Sequence, residues 1–169
     1  MPEATDQIIV LNAVQIDQRI RRIAYEIYEN NYGVKELILA GICEQGEVLA
    51  NLLASILDEI SPIKTSVLKI NLDKENPSKP IAEKDLPTNL SNKVVIMVDD
   101  VLNTGKTLAY SLKPFLDQKI KKIEVAVLIN RSHTAFPISP KYTGYELSTT
   151  LSEHIVVKMT GKQKGVYLT

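Results

Sequence analysis

Val94-Val95-Ile96-Met97-Val98-Asp99-Asp100-Val101-Leu102-Asn103-Thr104-Gly105-Lys106-Thr107 is a β-branched apolar run that ends in two carboxylates and opens onto a Thr-Gly-Lys-Thr turn. The run is short and bounded by turn signals, as expected of a strand in a parallel sheet covered on both faces, and residues 108–116 carry helical spacing. Strand, loop and helix in that order leave unpartnered backbone N–H groups at the positive end of the helix dipole, where an anion is welcome. Gly105 lets the backbone approach a phosphate closely, and the hydroxyls of Thr104 and Thr107 can donate to its oxygens. Asp99 and Asp100 have the opposite polarity. Carboxylates accept hydrogen bonds, so they suit the paired hydroxyls of a ribose one sugar length from the phosphate. The segment therefore reads as a sugar 5-phosphate site. A nucleoside triphosphatase P-loop fails on spacing, because the glycine it needs five residues before the second is here Asp100. The bland alternative is an ordinary strand-to-helix turn with Thr104 as N-cap and the aspartates in solvent.

Outward from this stretch, strands and helices alternate. Ile16, Ile20, Ile23, Ala24, Ile27 and Tyr28 form a helical stripe that stops near Gly33, and residues 37–40 read as a strand. Val48, Leu49, Leu52, Leu53, Ile56, Leu57 and Ile60 form a second stripe, closed by Ser61-Pro62. Further strands are predicted at 65–72, 123–129 and 155–159. The stretch holding Pro77, Pro80 and Pro87 is too rich in breakers for a regular element and is the candidate mobile loop. Such alternation predicts an α/β fold with a parallel sheet and right-handed crossovers. Ligands in such sheets collect outside the carboxyl ends of the strands. Three segments should therefore face one crevice: the turn Cys43-Glu44-Gln45-Gly46, the loop at 99–107, and the chain from Asn130 onward. Gly46 fits a turn that exposes backbone N–H groups to an anion.

Composition narrows the function classes. At 169 residues and 44% hydrophobic content, the chain can build one good core, and a single domain over 1–169 is expected. Lys+Arg and Asp+Glu balance at 20 each, so no global field draws the protein to nucleic acid or an anionic membrane. No segment has the apolar length of a membrane span, and Met1-Pro2-Glu3-Ala4-Thr5-Asp6 lacks a basic-then-apolar signal, so a soluble cytoplasmic protein is expected. Cys43 is the single cysteine, which excludes a disulfide framework. It reads as a small, partly buried loop residue, and nothing besides their presence supports a nucleophile and base pair with His133. His133 and His154 are the two histidines, and no resident metal site is expected.

Four apolar residues, two acids and Thr-Gly-x-Thr resemble the phosphoribosyl pyrophosphate signature of the type I phosphoribosyltransferases. Val125-Ala126-Val127-Leu128-Ile129-Asn130-Arg131-Ser132-His133, Phe136-Pro137-Ile138 and Tyr142-Thr143-Gly144 resemble one subfamily, as do Ile20-Arg21-Arg22-Ile23-Ala24-Tyr25-Glu26-Ile27 and Leu39-Ala40-Gly41-Ile42. That subfamily joins pyrimidine operon attenuation to uracil phosphoribosyl transfer. The resemblance runs over residues 16–159 and is weakest over 70–90. It implies a mainly parallel central sheet flanked by helices, with a small hood. It implies transfer of ribose 5-phosphate from phosphoribosyl pyrophosphate to a nucleobase, uracil foremost, giving pyrophosphate and a nucleoside monophosphate. It also implies Mg2+ carried in on the substrate and a homodimer or larger homo-oligomer. On this reading Asp99 and Asp100 are catalytic, and Asp99, Asp100, Val101, Leu102, Asn103, Thr104, Gly105, Lys106 and Thr107 hold the ribose and its 5-phosphate. Cys43, Glu44, Gln45 and Gly46 form the pyrophosphate loop, and Arg131 and His133 lie beside the base, Arg131 offering donors to a carbonyl oxygen.

Two departures from that pattern weigh on catalysis. The family usually has a basic residue in the pyrophosphate loop, where this chain has Cys43, Glu44 and Gln45. After Leu68, active members carry an aromatic residue and an arginine on a flexible loop, where this chain reads Lys69-Ile70-Asn71-Leu72-Asp73-Lys74-Glu75. No arginine occurs between Arg22 and Arg131, which leaves Lys69 or Lys74 as point charges without the bidentate fork of arginine. Asn130 stands where the family commonly has aspartate. These changes keep open a second function, a nucleotide-sensing RNA-binding regulator with weak or no catalysis. Arg19, Arg21, Arg22, Lys119, Lys121 and Lys122 are the candidates for its basic surface. A degenerate scaffold protein is a third possibility.

Overall fold

The structure is a computed structural model that describes residues 7–82, 85 and 88–169; residues 1–6, read above for a leader signal, and Pro87 lie outside the described residues. The elements run β1 (Ile8–Asn12), α1 (Ala13–Asn30), β2 (Glu36–Ile42), α2 (Cys43–Ile60), β3 (Lys64–Ile70) and β4 (Val94–Leu102). They continue through α3 (Lys106–Ser111), α4 (Lys113–Leu116), β5 (Lys122–Asn130), β6 (Tyr142–Glu146), β7 (Ile155–Lys158) and β8 (Gly165–Leu168). Five strands in the order β3-β2-β4-β5-β6 make one sheet in which every pairing is parallel. The other three form an antiparallel sheet, β1-β8-β7, which is the hood.

The apolar runs are explained by burial on both faces of the parallel sheet. Leu37, Leu39, Val94, Ile96, Val98, Ala126 and Leu128 pack with α1 and α2 on one face. Ile38, Ala40, Val95, Met97, Val125 and Val127 pack with Leu108 and Phe115 of α3 and α4 on the other. Successive side chains in a strand point to opposite faces, so covering both makes nearly every position of β4 apolar. Helix α1 starts earlier than its apolar stripe, because Asn12 and Gln15 form a reciprocal capping box, each side chain accepting the other's backbone N–H at 2.9 Å.

Three boundaries differ from the sequence reading in ways that shape the site. Strand β4 does not stop at the carboxylates but carries Asp99 and Asp100 and runs on to Leu102. Residues 43–46 are not a separate turn. Cys43 takes φ 55°, which reverses the chain within one residue and lets α2 begin at once. The helix expected over 108–116 is two short ones, because Pro114 has no N–H to continue the ladder. The proline-rich stretch carries no long regular element among its described residues.

At the opposite end of the sheet sits a buried ionic cluster. Glu124 on β5 is 6% exposed and accepts from Lys141 at 2.8 Å, from Asn31 at 3.0 Å and from the Tyr142 hydroxyl at 3.1 Å, with Lys122 at 3.3 Å. Burial pushes this carboxyl up, but Lys141, Asn31, Lys122 and Tyr142 outweigh it and hold Glu124 below the ordinary glutamate range.

Candidate active site

The strand order places a switch point between β2 and β4. Helix α2 leaves β2 on one face and α3 leaves β4 on the other, which opens a crevice between their carboxyl ends. Because β5 is the next neighbour of β4, the three segments expected to share a crevice all lie at the carboxyl end of the three central strands.

Along β4, Asp99 is 3% exposed and Asp100 half-buried. The backbone N–H of Asp100 donates to Asp99 Oδ1 at 2.9 Å. Burial first, then the negative charge of Asp100, push the Asp99 carboxyl well above the ordinary aspartate range, against the opposing charge of Lys74. Beyond Leu102 the chain turns through 103–105, where Gly105 has φ 83° and, as the N-cap residue of α3, offers no side chain to the first turn. A Cβ at Gly105 would lie 3.2 Å from Ile138, so left-handed backbone and a close neighbour both demand glycine. The Thr104 hydroxyl accepts from the Lys106 N–H at 3.3 Å, and the Thr104 carbonyl accepts from the N–H groups of Ala135 and Phe136 at 2.9 and 3.0 Å. A cavity of about 240 Å³ is lined by Asp99, residues 101–108 and Lys74.

At the start of α2, Gly46 earns its place by close packing. Its Cβ would meet the Val98 carbonyl oxygen of β4 at 2.6 Å. Glu44 is turned to Lys69, which also pairs with Glu47 at 3.1 Å. Lys69 is therefore engaged by two carboxylates, whereas Lys74 lines the cavity beside Asp99. The Cys43 thiol donates to the Leu72 carbonyl at 3.2 Å and, with Glu44 and residues 71–73 and 79–82, lines a second cavity of about 370 Å³.

Arg131 and His133 follow β5. Arg131 is 9% exposed, and its Nη1 donates to Asn103 Oδ1 at 2.9 Å. Its Nε and Nη2 donate to Thr149 Oγ1 at 2.9 and 2.6 Å, and Nη2 also to the carbonyls of Thr150 and Glu153 at 3.2 and 2.8 Å. His133 Nε2 donates to the Thr149 carbonyl at 2.8 Å. Asn130 donates to Glu146 at 3.3 Å. Sequence reasoning did not find the hood residues near the start of α2: Gln45 and Val48 share a cleft of about 490 Å³ with Val157, Met159, Thr160 and Lys162. The 155–159 run was visible as a strand, but nothing local indicates where it docks.

Of the basic residues on α1, Arg19 and Arg22 donate to carbonyls of β6 and Arg21 pairs with Glu59 at 2.9 Å. Lys122 joins the Glu124 cluster, and Lys119 and Lys121 are exposed. Among the described residues, no group of three or more His, Cys, Asp or Glu is placed to hold a metal ion, and no helix is long and apolar enough to cross a membrane.

A strand carrying paired acids near its carboxyl end, a glycine-opened loop and a flanking crevice agree with the match of residues 9–160 to the phosphoribosyl transferase domain family. The chain belongs to the phosphoribosyltransferase family. Its relatives include "Bifunctional protein PyrR" of Macrococcus caseolyticus, 37% identical over 91% of this chain and 92% of that one. The protein of the same name from Fusobacterium nucleatum is 35% identical over 95% and 97%. Among solved structures, a hypoxanthine phosphoribosyltransferase from Staphylococcus aureus superposes with a TM-score of 0.73 at 20% identity, covering 85% of this chain and 80% of that one. The type I fold and the PyrR-like subfamily pattern read from residues 94–107 and 125–144 are thus borne out.

Proposed function

We propose that the protein transfers the ribose 5-phosphate of phosphoribosyl pyrophosphate to uracil, releasing pyrophosphate and forming the nucleoside monophosphate. The observation that carries this is the placement of Asp99 and Asp100 on β4 just before the Gly105 loop, with Asp99 and the loop lining a cavity of about 240 Å³. The carboxylates accept from the ribose 2- and 3-hydroxyls, and the backbone and hydroxyl donors of 103–107 hold the 5-phosphate. Gripping the sugar at both ends fixes its anomeric carbon between the base and the departing group. As the bond to pyrophosphate breaks, its electron pair leaves with pyrophosphate, positive charge grows on the ring, and a ring nitrogen of uracil forms the new bond as its N–H breaks and the proton passes to solvent. Lys74 is the cation best placed to meet the leaving group, since Lys69 is engaged by Glu44 and Glu47. The base lies on the side of Arg131 and His133. Mg2+ carried in on the diphosphate would supply positive charge to the leaving group, with Asp99 and Asp100 the acids nearest to it. A pair of carboxylates with no third acidic ligand suits an ion that brings its own phosphate oxygens and waters.

The test is chromatographic detection of uridine monophosphate from phosphoribosyl pyrophosphate, magnesium and uracil, beside an Asp99→Asn/Asp100→Asn variant. Product from the wild type alone supports the transferase; no product from a wild type that still binds nucleotide moves the sensing role to the front. The relatives' designation as bifunctional favours that second role, an RNA-binding regulator of pyrimidine genes. RNA affinity falling linearly in log–log fashion with salt would support it. We further propose a cytoplasmic homo-oligomer, for which sedimentation velocity gives the assembly state.

A further inference from the structure

Arg131 faces two ways. Its backbone N–H donates to the Leu102 carbonyl at 3.0 Å and its Nη1 to Asn103 Oδ1, which fastens it to the turn before Gly105. Its Nε and Nη2 reach Thr149 Oγ1 and the carbonyls of Thr150 and Glu153. That far segment is closed on itself, because Glu153 accepts from the Thr150 N–H at 2.6 Å, and two residues later it enters β7 of the hood. His133 adds a second tie at the Thr149 carbonyl.

We propose that Arg131 is a positioning residue that couples occupancy of the ribose-phosphate loop to the placement of residues 149–153, and hence of the hood, without itself touching ligand. The proposal rests on the transferase reading. Its physical basis is the guanidinium plane. Three nitrogens are fixed in one rigid fork, so a shift of Asn103 when the phosphate binds rotates donors that are also committed to Thr149, Thr150 and Glu153. At 9% exposure, water does not readily replace a lost partner, so the two ends move together or lose charge-assisted bonds. Donors committed in this way are not available to a base carbonyl.

Thr149 lies outside the phosphate loop and takes two of the arginine's bonds, so it is the place to cut the link. Wild type, Thr149→Val and Thr149→Ser would be compared by hydrogen exchange over 147–155 with and without ribose 5-phosphate, and by kinetics in both substrates. In the wild type, ribose 5-phosphate slows exchange over 149–153. In Thr149→Val that slowing is lost and the KM for uracil rises about tenfold, as for loss of a hydrogen bond to a charged group, with kcat within about twofold. Thr149→Ser restores both. Arg131→Lys, which keeps the charge but not the fork, gives the same uncoupling should the valine variant fold poorly. A Thr149→Val protein matching the wild type in exchange and KM overturns the positioning role alone. A wild type that neither binds ribose 5-phosphate nor forms nucleotide overturns the transferase reading and this role with it.

Discussion

The backbone N–H of Asp100 lies 2.9 Å from Asp99 Oδ1, so the two carboxylates at the head of the crevice are joined through the chain that carries them. Burial, and then the charge of Asp100, hold Asp99 well above the ordinary aspartate range. A folded pKa above the unfolded one means that, between the two, the native state keeps a proton the unfolded chain has lost. Stability then declines as pH rises through that interval and stays lower above it. Asp99→Asn removes the titration. It should melt above the wild type near pH 7, with the gap closing toward about pH 4, while nucleotide formation is lost. Thermal denaturation at several pH values checks this, and a pH-independent gap would sink it.

Lys74 should matter more than Lys69. Lys74→Met is expected to lower kcat on the order of a hundredfold, as for removal of one electrostatic contact to developing charge. Lys74→Arg should keep or raise kcat by restoring a fork for the diphosphate. Steady-state kinetics decides, and equal effects from Lys69→Met and Lys74→Met would refute the assignment.

Glu44 sets a negative charge in the first turn of α2, the segment proposed to meet pyrophosphate, relieved by its pairing with Lys69. Glu44→Gln should tighten phosphoribosyl pyrophosphate about two- to fivefold at low salt, with the gain fading as screening rises. Calorimetric titration at two ionic strengths measures it. Affinity that does not change would place Glu44 outside the field of the leaving group.

Gly105→Ala puts a Cβ on backbone at φ 83° and 3.2 Å from Ile138. The expected cost is about 1–2 kcal/mol of stability, and the KM for phosphoribosyl pyrophosphate should rise with it. Denaturant unfolding and kinetics on the same preparation test both halves. Wild-type values in each would show that the loop tolerates a side chain.

Glu124→Gln should destabilise by about 3 kcal/mol, because it breaks a buried pair. Glu124 titrates below its ordinary range, so its contribution is present above the unfolded pKa and lost as pH falls through the lowered folded value. The variant should therefore resemble the wild type only in acid. Urea midpoints at neutral and acid pH provide the comparison.

The parts legible in the sequence are those whose physics is local. Buried on both faces, β4 had to be an apolar run, and a glycine turn leads from it into a helix, so residues 94–107 revealed the sheet and marked the candidate site. The stripes of α1 and α2 were visible for the same reason. The strands β1, β6 and β8 were not. They are four or five residues long, and β1 and β8 are specified by each other across nearly the whole described chain. Arg131 shows the limit at a single position. The pattern around it suggested a contact with the base, while its acceptors at 149–153 are fixed by tertiary placement that no local spacing encodes.

The pairing of Ile8 with Leu168 and Asn12 with Gly165 has a consequence in time. Contacts of such long separation carry the largest loop-closure cost and form after those between neighbouring units. The strands β2 to β5 and the Gly105 turn are built from consecutive strand and helix units, whereas the hood needs β1 and β8 to pair. The sheet that carries Asp99 and Gly105 is thus specified by shorter-range pairings than the hood, whose closure joins the two ends of the described chain.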